Sequence, residues 1–297
     1  MKQALEQALT ELGIPRGGAL MVHSDAMVVA QFAGMGNAEG IAAFWTCLEQ
    51  WLDGHLLVPT FSYSPMADEC FDPAQTPSKV GLMTELFRQR EGVVRTLDPV
   101  FSMAISGPQG PALVARECHD CFGQESPFGW LAEQDGWLLG LGCHPDRITF
   151  THYVEQRLAV PYRYHKMFAG QVRVDGRVRE WQADYYVRDL SLASEIDLSR
   201  LVTLLQERGA WRQTLCQRVP VWAVSCRDFI LAASELLAAA PYALIRAGGE
   251  PHAVCSHRTG GAGPGERCGL LPRGAGAEPL LGGGGRSAAT GLGAVRT

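Results

Sequence analysis

The sequence contains no apolar run long enough to cross a bilayer. Its richest stretch, Phe229 to Ile245, is interrupted by Ser234, Glu235 and Pro241, and it falls short of the roughly 20 residues that a spanning helix needs. A secretory leader is not expected either: Met1 to Ile14 places Leu5, Ala8, Leu9 and Leu12 at helical spacing rather than in a continuous apolar block. There is no basic excess. Lys and Arg number 26 against 31 Asp and Glu, a formal net charge of -5, which argues against nucleic acid or an anionic membrane as the main partner. These absences point to a cytoplasmic protein acting on a small molecule, and a mildly acidic cleft would suit a cationic, amine-bearing one.

Paired cysteine spacing is also scarce. The nine cysteines are odd in number and scattered through 297 residues, so a disulfide framework is not expected. Cys118 and Cys121 flank His119, and Cys143–His144 follows. A single C-x-x-C without a second pair is a weak signal, because a structural zinc needs four placed ligands. No metal is expected.

The remainder alternates helix and strand patterns. A helix over Lys2–Leu12 leads to an apolar strand, Ala19–His23, and a polar loop with Gly34, Gly36 and Asn37 follows. The next helix presents Ile41, Phe44, Trp45, Leu48 and Leu52 on one side, and the strand His55–Pro59 comes directly after it. This strand–helix–strand unit predicts a parallel pairing through a crossover. The loop Thr60–Lys79 is rich in Pro, Ser and Asp, and a loop of that length usually carries function or is disordered. Further on, the pattern predicts a helix over Leu82–Gln89, extended chain over Val93–Ser106 and a buried strand over Trp137–Gly142. Asp175–Gly176 between alternating valines predicts a hairpin over Gln171–Glu180. Helices are expected from Asp197 to Gly209 and from a Ser225 cap onward.

At the far end aromatic residues vanish. Residues 248–297 hold 15 of the 34 glycines, four prolines, five arginines and no Phe, Tyr or Trp. Such a segment buries too little apolar area to offset its ordering entropy. The expectation is a folded domain over residues 1–245 and a Gly-rich, disordered tail over 246–297.

One constellation stands out for chemistry: Thr149-Phe150-Thr151-His152-Tyr153-Val154-Glu155. On a first helical turn His152 and Glu155 lie on one face, three residues apart. A carboxylate beside an imidazole orients the ring and raises its basicity, which suits a general base near neutral pH. Alone, His-x-x-Glu is commonplace and is more often a surface ion pair. Its setting is more specific. The chain carries, in order, Val22-His23-Ser24, Pro59-Thr60-Phe61-Ser62, Phe71-Asp72-Pro73, Thr76-Pro77-Ser78, Glu85-Leu86-Phe87-Arg88, Arg95-Thr96 with Pro99 and Ser102, Glu125-Ser126-Pro127, and Thr151-His152 with Glu155. This ordered set resembles the aminoglycoside 3-N-acetyltransferase family over most of Met1 to about Ile245. It does not resemble the GNAT acetyltransferases, whose pyrophosphate loop has no counterpart here.

The resemblance implies an α/β protein of three layers, α/β/α, around a mixed, largely parallel sheet. It implies acetyl transfer from acetyl-CoA to an amine of an aminoglycoside or other amino sugar. His152 would be the base and Glu155 its orienting partner, and Ser24, Arg95, Thr96 and Ser102 would lie at the cofactor. Alternatives are another acyl-CoA used on a non-sugar amine, or a family member that binds CoA without turnover. The chain departs from the family pattern at Asp25, at Ala26-Met27-Val28-Val29 and at Asp98.

Overall fold

The central strands of the sheet alternate their side chains between two apolar layers. Ala19 and Met21 face one buried cluster, and Leu20 and Val22 face the other. Strands buried on both faces need helices on both faces. The computed structural model, which describes residues 1–25 and 36–246, shows that arrangement. Helices α1 (Lys2–Glu11), α2 (Ala38–Leu52) and α3 (Leu82–Arg88) cover one face. The other face is covered by α4 (Gly110–Val114), α5 (Pro127–Glu133), α6 (Phe150–Arg157), α7 (Ser199–Glu207) and α8 (Cys226–Ala239).

The strands are β1 (Ala19–Ser24), β2 (His55–Pro59), β3 (Val94–Arg95), β4 (Met103–Ser106), β5 (Trp137–Leu141), β8 (Arg212–Cys216) and β9 (Val219–Ser225), in the order β3-β4-β2-β1-β5-β9-β8. The sheet is mixed, as expected, but its parallel part is confined to the centre. β1 pairs in parallel with β2 and with β5, and the four outer pairings are antiparallel. The description "largely parallel" is therefore corrected. The β1–α2–β2 unit supplies a helical crossover, whereas β8 and β9 are joined by a tight turn that can only reverse the chain.

Strands β6 (Arg163–Val174) and β7 (Arg177–Arg188) form a separate two-stranded ribbon, longer at both ends than the hairpin expected over Gln171–Glu180. Its turn at Asp175–Gly176 has positive φ at both residues, as a two-residue hairpin turn requires. At the end of the described residues Ile245 is buried and bridges Ile196, and the Arg246 N–H donates to the Glu195 carbonyl. The expected tail beyond that point, and the departure at residues 26–29, lie outside the described residues. Among the described residues no helix is long and apolar enough to cross a membrane.

Strand β5 ends at the segment that leads to His152, and one glycine shapes it. Gly140 lies opposite Trp222 of β9, and a Cβ at that position would stand 1.9 Å from the indole ring. Trp222 in turn stacks on Trp211 and donates its Nε1–H to the Cys143 carbonyl at 2.9 Å, fixing the loop after β5. Gly140→Ala should therefore displace the indole and destabilise the fold by about 1–3 kcal/mol. Denaturant unfolding checks this; an unchanged midpoint would mean that the indole shifts freely.

Candidate active site

The parallel strands β1 and β5 end side by side, Ser24 opposite Leu141. A crevice outside the carboxyl ends of neighbouring parallel strands is where open α/β sheets bind ligands. The chain leaves β5, makes a short 3₁₀ turn at Pro145–Arg147 and enters α6 at Phe150. The helix buries Phe150, Tyr153 and Val154 in the core. That packing fixes its rotation and brings His152 and Glu155 together on one face.

His152 Nδ1 lies 2.8 Å from Glu155 Oε2. The His152 side chain is 21% exposed, whereas Glu155 is fully buried. A carboxylate accepts, so the imidazole holds its hydrogen on Nδ1 and Nε2 is left as the basic atom. A buried carboxylate needs a second partner, and Arg163, the first residue of β6, supplies it with Nε 2.6 Å from the same oxygen. Arg163 is itself buried and tied to the Tyr186 carbonyl at 3.2 Å. Burial works to raise the Glu155 pKa, but the Arg163 charge and the bond from His152 outweigh it, so the carboxyl is held below its ordinary value and stays ionised. Burial and then the Arg163 charge lower the His152 pKa against the opposing pull of Glu155. The imidazole is thus neutral at pH 7, with Nε2 free to take a proton.

The surroundings hold this pair from two further sides. The Phe122 ring meets the imidazole edge-on, with centroids 5.4 Å apart. Gln156 donates to both carboxylate oxygens of Asp120 at 2.8 Å, tying the loop before α5 to the helix. A cavity of about 530 Å³ opens nearby, lined among others by Thr96, Asp98, Phe101, Cys121, Phe128 and Trp181. His152 is not part of its lining. Phe122 stands between, in ring contact with Phe101 and Phe128 on one side and with His152 on the other.

The four residues expected at the cofactor do not gather in one place. Ser24 sits half-buried at the end of β1. Arg95, Thr96 and Ser102 lie across the sheet on the β3–β4 side. The Arg95 guanidinium is buried in a structural knot. Its Nε donates to Thr60 Oγ1 and Ser102 Oγ at 3.1 Å each, and its Nη atoms donate to the carbonyls of Thr60, Thr76 and Pro73. The Phe71 ring lies 4.9 Å away. Ser102 Oγ donates to the Thr60 carbonyl, and Thr96 Oγ1 accepts from the Met103 N–H while the residue lines the cavity. Four of the five guanidinium N–H groups are thereby engaged, mostly with the Thr60–Thr76 loop, so the geometry gives Arg95 and Ser102 an architectural task. Arg163 went unrecognised in the sequence, where nothing sets it apart from the other arginines of its ribbon. Among the described residues no group of three or more His, Cys, Asp or Glu side chains converges as a metal set.

The arrangement defines an α/β protein that presents a carboxylate-oriented, neutral imidazole just beyond the carboxyl ends of its parallel strands. The aminoglycoside 3-N-acetyltransferase family model matches residues 21–238, and the chain belongs to that family. It is 32% identical over 166 residues to the aminoglycoside N(3)-acetyltransferase IV of Salmonella sp., a match covering 54% of this chain and 60% of that relative, less than two thirds of either. Among solved structures it is similar to a histidine-to-alanine variant of aminoglycoside acetyltransferase AAC(3)-IVa in complex with a gentamicin. That likeness has 25% identity and a TM-score of 0.65, covering 81% of this chain and 89% of the other. The fold is shared with AAC-IIIb in binary complex with CoASH, at 21% identity and a TM-score of 0.66 over 80% of this chain and 96% of that one.

Two outcomes follow. Arg163→Gln removes the cation that lowers the His152 pKa, so the midpoint of the imidazole titration, followed by its ring-proton resonance, should lie below about 6.5 in the native protein and move to higher pH in the variant. A midpoint that stays put would mean that Arg163 does not act on the imidazole. Arg95→Ala leaves buried carbonyls unpaired, and losing one partner of a buried charged network costs about 3–5 kcal/mol. Its melting temperature should fall steeply, with no selective rise in the KM for acetyl-CoA. A selective rise at unchanged stability would restore the cofactor assignment.

Proposed function

We propose that this protein transfers an acetyl group from acetyl-CoA directly to an amino group of an aminoglycoside or another amino sugar, in the cytosol, with His152 as general base. The observation that carries the reading is the buried Arg163–Glu155–His152 array, which keeps the imidazole neutral and its Nε2 unencumbered. Sugar amines are largely protonated at pH 7 and become nucleophilic only after losing a proton. In this reading His152 Nε2 takes the ammonium proton, and the nitrogen, now carrying a lone pair, attacks the thioester carbonyl and gives up its second proton to the leaving thiolate. The new C–N bond forms, the C–S bond breaks, and CoA leaves as thiolate, which takes up that proton on release. The thioester is already activated, so no enzyme nucleophile is required. The nearby thiols are unsuited to that part: burial raises Cys121 well above the ordinary thiol range and Cys118 to about 11.

Glu155 acts by holding the imidazole in the right tautomer and by stabilising the imidazolium that forms, while Arg163 keeps that carboxylate ionised. Support for the substrates comes from relatives: a similar structure holds a gentamicin and one sharing the fold holds CoASH. Of the residues expected at the cofactor, Ser24 and Thr96 keep that role in this reading, Ser24 at the crevice beyond β1 and Thr96 with its hydroxyl hydrogen still free to donate.

His152→Ala should fold normally and slow the chemical step by about 10²–10⁴, read as CoA thiol release from acetyl-CoA with a panel of aminoglycosides and simple amines. Near-native turnover at neutral pH would remove His152 from the mechanism. Turnover with longer acyl-CoAs on non-sugar amines alone would leave the base in place and replace the substrates.

A further inference from the structure

The helix that carries His152 does not cap itself. Thr149 is the N-cap residue of α6, yet no side chain within the helix start satisfies its first turn. The anchor comes from the other side of the crevice. His23, on β1, accepts the Thr149 N–H on Nε2 at 3.2 Å. The same Thr149 offers its carbonyl to the His152 N–H at 3.0 Å. One residue therefore links the His23 ring to the backbone of the proposed base.

The His23 ring is 6% exposed. Accepting an N–H fixes the lone pair on Nε2 and the hydrogen on Nδ1. That Nδ1 is buried and has no hydrogen-bond partner among the described residues. An unpaired buried N–H is costly, and an apolar side chain at the strand end would carry no such cost. The feature that sets the imidazole apart there is the acceptor it turns toward Thr149. We infer that His23 is a positioning residue, which fixes the first turn of α6 so that His152 stays in register with Glu155 and with the bound acceptor. Burial keeps the ring pKa near 4, so the acceptor persists throughout the neutral range and needs no switching.

This inference rests on the reading of His152 as the base. Its test is therefore built on a second, independent signal. In the full-length chain His23→Gln places an amide oxygen near the site of Nε2, whereas His23→Asn keeps a donor near Nδ1 and has nothing that reaches Thr149. A displacement of about an ångström at a reacting group costs on the order of 10²-fold in rate. His23→Asn should lower kcat ten- to a hundredfold with both KM values little changed, and should speed hydrogen exchange of the Thr149 amide. His23→Gln should keep that amide protected and recover most of kcat. Native kcat and native Thr149 protection in the Asn variant would overturn the proposal. A folded Gln variant that is ten- to a hundredfold slower than native with Thr149 still protected would also overturn it, and this arm stands even if the Asn variant does not fold. The exchange measurement reports the anchor whether or not His152 is the base; if His152→Ala keeps its turnover while Thr149 responds as described, the functional reading fails and the anchor survives.

Discussion

Everything at this site depends on one buried negative charge. Glu155 is fully enclosed, and a carboxylate removed from water must either neutralise or be paired. Pairing with Arg163 keeps it ionised, and that solution dictates the rest. Arg163 must be delivered from the start of the β6–β7 ribbon, so the ribbon must pack beside α6. The carboxylate then orders the imidazole through Nδ1. The same cation that keeps Glu155 charged also disfavours a second positive charge on His152. The array thus combines a firmly oriented ring with a lowered proton affinity, as a base that must already be neutral at pH 7 requires.

The sheet supplies the frame. The parallel centre, β2-β1-β5, opens its crevice at the ends of β1 and β5. The antiparallel strand β9 locks the exit of β5 through Trp222, and His23 reaches from β1 to the start of α6. The helix that carries His152 has only eight residues, too short to be stable alone. Its position comes from the core packing of Phe150, Tyr153 and Val154 and from these two long-range bonds.

Much of this was legible in the sequence, for physical reasons. The helix–strand alternation of the first 60 residues is visible because a 3.6-residue apolar spacing in the helices gives way to short continuous apolar runs in the strands. His152 and Glu155 could be paired because an i, i+3 contact on a helix is local. Arg163 could not, since the contact with Glu155 crosses a turn and depends on where the ribbon packs. β8 and β9 were missed: Val219–Ser225 is nearly continuous in burial and short, a pattern that periodicity alone cannot assign. Arg95 shows a different limit. Its place in the ordered family set was real, but the set marks architecture as much as chemistry. Asp72 caps a turn through Ala74 and Gln75, Ser126 caps α5, and Arg95 binds the Thr60–Thr76 loop.

The account stands on the tautomer of His152, and nitrogen-15 NMR of its imidazole at pH 7 reads that directly. The expected spectrum shows a neutral ring with hydrogen on Nδ1, its resonance coupled to the Glu155 hydrogen bond, and a bare Nε2. A doubly protonated ring at that pH, or a neutral ring with its hydrogen on Nε2, would contradict the account, because no lone pair would then be available for the amine's proton.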